Sequence, residues 1–230
     1  MGVKNLFAIS ENKNSLGSKF RQKRFRYFLK LLSSVESDPI RILDVGGKES
    51  FWVLNQFHQR KDVQITLLNL EASDLKYDNF SSVRGDATDL SEYAENSFDL
   101  VFSNSVIEHL HSFENQIKMA KECQRVGIKH FIQTPNRYFF MEPHYLLPFF
   151  QFLPKKLQYF ILTKTKVSRL KKWNASFARQ YIDEIRLMSK SEMSKLFPGS
   201  ILYREKFLWM SKSFTAHNLE SPQSKGEPGS

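Results

Sequence analysis

The residues of this chain best suited to chemistry stand in short polar groups, each directly behind an apolar run. Asp44-Val45-Gly46-Gly47 closes the run Ile40–Val45 (IRILDV). Glycines at such a turn let the backbone approach a ligand closely, and the start of a following helix favours negative charge. Glu71 stands behind Val63–Leu70 (VQITLLNL), where a carboxylate can accept both hydroxyls of a ribose; Asn69 could share that role. Gly85-Asp86-Ala87 follows Phe80–Arg84, and an aspartate there can accept a hydrogen bond from an exocyclic adenine amine. Ser103 to Leu110 (SNSVIEHL) leaves the run Phe98–Ser103, and Thr134-Pro135-Asn136 ends Lys129–Gln133 (KHFIQ).

Groups placed this way need an open parallel sheet, in which ligands bind outside the carboxyl ends of the strands. The sequence supplies the elements. Five short apolar runs read as strands, with helical segments between them at Ser50–His58 and Phe113–Arg125, the second stopped by Gly127. Strands separated by helices predict an α/β fold with helices on both faces. Ser15–Val35 reads as a basic amphipathic helix with Phe20, Phe25, Phe28, Leu29 and Leu32 near helical spacing. From Arg137 to Arg186 the rhythm breaks into aromatics, prolines and lysines with no clear strand, which predicts an insertion over the sheet's C-terminal edge. Ser191–Phe197 predicts a short helix capped by Ser191, and Ile201–Trp209 with Lys212–His217 an antiparallel pair closing the sheet. The expected domain plan is a flexible N-terminus over 1–14, one domain over 15–220 with its insertion at 137–186, and a disordered tail over 221–230.

Composition excludes several classes. With 230 residues, 41% hydrophobic and 25% charged, the chain is neither disordered nor collagen-like nor a membrane bundle. A single cysteine, Cys123, excludes a disulfide framework and a cysteine zinc site, and fits a reducing compartment. The apolar stretch Phe139–Leu162 is broken by Glu142, Pro143, His144, Pro148, Pro154, Lys155 and Lys156, so it does not predict a spanning helix. Net charge is +10, distributed as +7 over Met1–Val35, −7 over Glu36–Ile128 and +10 over Lys129–Ser230. Basic flanks suggest an anionic partner without choosing among nucleic acid, phospholipid and phosphorylated substrate.

The ordered series ILDVGG, LLNLE, GDATDL, FDLVFSNSVIEHL and FIQTPN, from Ile40 to about Asn136, resembles the motifs of class I S-adenosylmethionine-dependent methyltransferases, in particular their type 11 small-molecule group. The resemblance implies a Rossmann-like seven-stranded sheet of order 3-2-1-4-5-7-6 and S-adenosylmethionine as cofactor. It implies that Asp44, Gly46 and Gly47 line the cofactor's methionine end and that Glu71, with Asn69, holds the ribose. Asp86 and Ala87 would hold the adenine, and Ser103 would lie beside the sulfonium arm. One departure stands out: Lys48 and Ser50 occupy positions where the family carries glycines, so a non-catalytic, cofactor-binding scaffold is an alternative reading.

Glu108-His109 resembles a pair that some quinone O-methyltransferases of this group use, with a further upstream Glu, to bind metal. Here the upstream position is Ser105, so no metal is expected. His109 is then a candidate general base, since an imidazole titrates near pH ~6.5, or a brace for the next helix. Polar groups after the fifth strand face the transferred methyl in this fold, which makes Asn136, Arg137, Glu142 and Tyr145 substrate-side candidates and His144 a second candidate base. The insertion reads as a helical lid with a lysine-rich rim (Lys155, Lys156, Lys164, Lys166, Lys171, Lys172), suited also to an anionic membrane surface. The expected activity is methyl transfer to a small-molecule, glycan or lipid-linked acceptor, at oxygen. RNA methylation is the alternative enzyme reading, supported by the basic flanks alone, and nucleic acid is otherwise disfavoured. The expected location is the cytosol, or the cytosol at a membrane surface.

Overall fold

The structure, a computed structural model, describes residues 16–220. The expectations for 1–14 and 221–230 fall outside the described residues. The described residues divide into two compact units, one holding 16–36 with 219–220 and the other Ser37–Asn218. The first contains helix α1 (Leu16–Leu32), where Phe25, Phe28, Leu31 and Leu32 are buried at helical spacing. The Phe25 and Phe28 rings lie 5.6 Å apart, and Ser34 closes the helix by donating to the Leu31 carbonyl.

The second unit is built on nine strands and five helices: β1 (Ile40–Val45), α2 (Glu49–Leu54), β2 (Val63–Asn69), β3 (Phe80–Arg84), β4 (Phe98–Asn104), α3 (Phe113–Val126), β5 (Gly127–Pro135), β6 (Met141–Glu142), β7 (Leu147–Pro148), α4 (Lys155–Lys164), α5 (Ala175–Glu184), α6 (Lys190–Leu196), β8 (Ile201–Phe207) and β9 (Met210–His217). Seven strands form one sheet in the order β3-β2-β1-β4-β5-β9-β8. This is the predicted 3-2-1-4-5-7-6 once the two-residue strands β6 and β7, a separate hairpin, are left uncounted. β1 to β5 pair in parallel, and β9 runs antiparallel against β5 and β8. Val45 stands opposite Leu68 on one side and Ser103 on the other, so the exits of β1, β2 and β4 are level.

Alternating side chains fill two cores, as a pleated strand requires. On one face Leu43, Val45, Val101 and Ile132 pack with Met119, Cys123, Met193 and Phe197 of the α3–α6 layer. On the other, Phe102 stacks on Phe131 with centroids 5.6 Å apart, and Trp52 packs edge-on to Phe102 at 5.2 Å. Arg41 of β1 grips Asp99 of β4 through its backbone amide at 2.7 Å and its guanidinium at 3.2 Å, fixing the amino ends of these neighbours.

Two local expectations are corrected. The cap of α6 is Ser189 rather than Ser191: its hydroxyl accepts from the Glu192 amide while Glu192 accepts from the Ser189 amide, a reciprocal capping box. The 137–186 segment is not strand-free, since β6 and β7 form a short antiparallel pair inside it.

Asp44 is a charged residue on a core-facing strand position. Its Oδ2 accepts from the Trp52 indole at 2.7 Å, and burial raises its pKa to about 7, a rise that the indole bond only partly offsets. The unfolded chain ionises this group near ~3.9 and the folded chain near 7, so its contribution to stability is fully present below the unfolded value and lost as pH rises through the folded one. Urea titrations from pH 4 to 8 are expected to show Asp44→Asn, which keeps the acceptor oxygen, gaining a few kcal/mol on the parent chain across that interval and running parallel above it. Superimposable profiles would mean that the carboxylate is ionised in the folded protein at every pH tested.

Candidate active site

The exits of β1, β2 and β3 form the first part of the site. Gly46 takes a left-handed conformation (φ 75°), and a Cβ there would lie 2.4 Å from Val106. At Gly47 a Cβ would lie 1.8 Å from the Asp44 carboxylate, so glycine is required there by space alone. Lys48 is extended (φ −130°) and Ser50 is helical, so the backbone at the two departures from the family pattern makes no demand for glycine. The Asn69 amide donates to the Gly47 carbonyl at 2.9 Å and thus braces the loop. Glu71 is exposed just past β2, free of the core. Asp86 is exposed past β3, where its Oδ1 accepts from the amide and hydroxyl of Thr88, and Ala87 is half-buried beside it. A loop with no room for side chains, flanked by exposed carboxylates at the next two strand ends, fits an adenosyl cofactor. Ser103 sits differently: it is fully buried and its hydroxyl donates to the Val45 carbonyl at 3.1 Å, tying β4 to β1.

The second part lies beyond β4 and β5. Behind β4 a single 3-10 turn, Ile107–His109, turns the chain toward α3. Glu108 on it is fully buried; Thr134 at the end of β5 donates to its Oε2 at 3.0 Å, while Oε1 is buried with no partner among the described residues. His109 Nδ1 lies 2.7 Å from Glu184 Oε1, and its buried Nε2 likewise has no partner among the described residues. His144 arrives from the insertion, its Nδ1 2.7 Å from Glu142 Oε1, with its ring edge-on to His109 at 5.1 Å. One ligand-type atom from each of Glu108, His109 and His144 lies within 4.8 Å of the others. Burial disfavours a charged His144, but Glu142, its hydrogen bond and Glu108 outweigh that and raise its pKa. Burial, with Glu184 and Glu142, pushes the neighbouring Tyr181 phenol up to about 12, so it stays a donor.

This convergence has a local cause. The end of the insertion is clamped to the turn: the Arg186 amide donates to Glu108 O at 2.7 Å, and the His111 amide to Glu184 O at 3.1 Å. Gln116 of α3 donates to both Ile107 O and Arg186 O. The start is fixed by the Arg137 amide on Met188 O. Between these anchors the insertion folds on its own aromatics, with Tyr145, Phe150, Trp173 and Tyr181 all buried. Ser168 joins the Tyr145 carbonyl to the Trp173 indole, and Arg169 donates to His144 O at 3.0 Å.

The sequence-derived acceptor residues are unevenly placed. Arg137 is exposed and lines a pocket of about 350 Å³ with Glu142, Tyr145, Lys155, Gln158 and Arg186. That pocket lies within the insertion and its return segment, not over the exits of β1–β3. Tyr145 belongs to the aromatic core as well, and Glu142 is committed to His144 and to the Tyr145 amide. Asn136 is a brace, its amide on Ser211 O and its Oδ1 accepting from the Tyr138 amide. Sequence reasoning missed Glu184 and Thr134. Glu184 lies 75 positions from His109, beyond any local signal, whereas Thr134 reads in the sequence only as part of a strand terminus. His144 stands beside the Glu108-His109 pair as a third ligand-type group, a neighbour that linear spacing does not show.

Residues 43–130 match the family model described as a methyltransferase domain. The N-terminal domain of EvdMO1, solved with SAH bound, superposes with a TM-score of 0.52 at 14% identity, covering 86% of this chain and 79% of that one, a likeness of fold. A methyltransferase from Methanosarcina mazei gives 0.48 at 12% identity over 82% and 97% of the two chains. A protein assigned as a sarcosine dimethylglycine methyltransferase from Galdieria sulphuraria gives 0.40 at 18% identity; 52% of this chain spans 49% of that one, about half its length. No curated protein matches the chain. The match over residues 43–130 and the strand order show a Rossmann-like fold of the methyltransferase type.

Glu71 is the exposed carboxylate just past β2, the place the resemblance gives to the ribose. Its replacement by alanine is expected to weaken S-adenosylhomocysteine binding by about 1.5–3 kcal/mol, the range for hydrogen bonds to a charged group. Calorimetry on a variant with an unchanged unfolding transition measures this, and unaltered affinity would remove Glu71 from the site.

Proposed function

We propose that the chain methylates a hydroxyl oxygen of a small-molecule, glycan or lipid-linked acceptor held beneath residues 137–186. The observation that supports this reading is the polar cluster of Glu108, His109 and His144 where the insertion meets the exit of β4. S-adenosylmethionine supplies the methyl group: its sulfonium–carbon bond breaks with the electron pair going to sulfur as the acceptor oxygen bonds to that carbon. The protein's own work is alignment, with the acceptor oxygen held at near-attack distance and water kept out. The hydroxyl proton leaves into the cluster, where Glu142 behind the His144 imidazole favours its uptake. Arg137, exposed at the pocket, offers a cation to an acidic sugar or phosphate on the acceptor.

The outer surface of the insertion favours the lipid-linked class. Leu146, Phe149, Phe152, Leu157, Phe160, Val167 and Leu170 are exposed there, interleaved with the lysines from Lys155 to Lys172. Exposed apolar side chains beside cations suit the boundary of an anionic bilayer. No helix among the described residues is long and apolar enough to cross a membrane, so the contact would be peripheral.

His144→Ala and Arg137→Ala are expected to cut acceptor turnover, or raise acceptor KM, by at least about tenfold while S-adenosylhomocysteine affinity stays within about twofold, because ribose and adenine are held at β2 and β3. Steady-state kinetics beside calorimetry reads the split, and equal loss of both would make the insertion a part of the cofactor site. Sedimentation with phosphatidylglycerol vesicles is expected to carry the protein down at low salt and release it at high salt. Equal behaviour with phosphatidylcholine vesicles would remove the anionic surface from the reading.

A further inference from the structure

We infer that Glu108, His109 and His144 form a binding site for a divalent transition-metal ion of the zinc class. The inference deepens the proposed acceptor site and rests on that reading only for the metal's use, not for its binding.

The donor set comes first. Two imidazoles and one carboxylate, within 4.8 Å of one another, are the ligand types that zinc and its neighbours take, whereas magnesium prefers oxygen alone. Metal–ligand bonds of about 2.0–2.2 Å would draw these atoms closer than they stand, a movement within reach of small side-chain rotations.

The outer partners are arranged as such a site requires. A metal-bound imidazole uses one nitrogen for the ion and donates the other N–H to a carboxylate or carbonyl. Both imidazoles here have this second partner: Glu184 on His109 Nδ1 and Glu142 on His144 Nδ1, each at 2.7 Å. These contacts set the tautomer and leave Nε2 of each ring as the ligand nitrogen. The carboxylate follows the same logic, with Thr134 holding Glu108 Oε2 and leaving Oε1 as the donor.

Burial and charge supply the independent observation. Glu108 is fully buried, and its Oε1 is an orphan among the described residues, as is His109 Nε2. An acceptor oxygen and a ring nitrogen left unpaired beside each other cost free energy unless something satisfies both. A cation does. The cluster also holds three carboxylates, Glu108, Glu142 and Glu184, around two imidazoles, with one nearby cation, Arg169, which donates to the carbonyls of Pro143 and His144. A dication balances that excess of negative charge. Three protein ligands also leave a coordination position open, as in catalytic rather than structural sites, and a hydroxyl bound to such a metal is more acidic than in water.

The test is direct binding to the purified full chain, stripped with a chelator. Calorimetric titration with Zn2+ is expected to give one equivalent, and Co2+ substitution the visible absorption of a low-coordinate nitrogen–oxygen site. His144→Ala should lower Zn2+ affinity by more than the about 10–100-fold expected for Glu184→Gln, which removes only an outer partner. S-adenosylhomocysteine affinity, kept at the parent value, certifies that each variant is folded. Failure of the folded parent chain to bind Zn2+ or Co2+ at micromolar concentration overturns the inference, as does binding that His144→Ala and Glu108→Gln leave unchanged. Metal binding with no transfer to any hydroxyl acceptor would instead overturn the proposed acceptor chemistry while this site stands.

Discussion

Because β1 to β5 run parallel, every connection out of these strands begins at the same edge of the sheet. Each buried strand must surface there before its chain can return, and the first residues beyond the apolar run are those that meet solvent or ligand. Gly46 and Gly47, Glu71, Asp86 and the turn Ile107–His109 owe their common location to this one constraint, and Thr134 stands at the same edge as one of the last residues of β5. Side chains more than 60 residues apart in the chain are thus brought to one rim without any contact designed for the purpose.

Charge burial is handled in two ways along that rim. Asp44 gains a single indole donor and responds by favouring its neutral form, with the pKa raised to about 7. The Glu108 region cannot settle so simply, since three carboxylates and two imidazoles share it. Partial pairing there lets His144 hold a proton more tightly than a free imidazole does, against the effect of its burial. Polar atoms left unpaired in such a place lower stability, and proteins retain that cost chiefly where a ligand later repays it.

The insertion contributes position more than bulk. Its aromatic residues Tyr145, Phe150, Trp173 and Tyr181 pack on one another, and its two ends are hydrogen-bonded beside the turn that carries Glu108. Moving either anchor would separate His144 from His109. The same residues that read as lid in the sequence therefore complete the polar centre.

The amino-acid order by itself determined the sheet. A buried parallel strand must be a short, almost continuous apolar run, and each such run stands out in one dimension with its polar terminus attached; Asp44, Glu71 and Asp86 were legible for that reason. The cap of α6 was misplaced by two residues because several serines cluster there, and only the hydrogen bonds choose Ser189. The roles of Asn69, Asn136 and Ser103 were also decided in space: each is spent on a backbone carbonyl that no local pattern reveals. Glu108, His109, Glu142 and His144 stood out singly in the sequence, but their convergence into one centre, with Glu184 and Thr134 behind them, belongs to tertiary structure. Its members come from a turn, a strand end, a hairpin and a helix terminus, and side-chain chemistry at such distances in sequence has no periodicity to betray it.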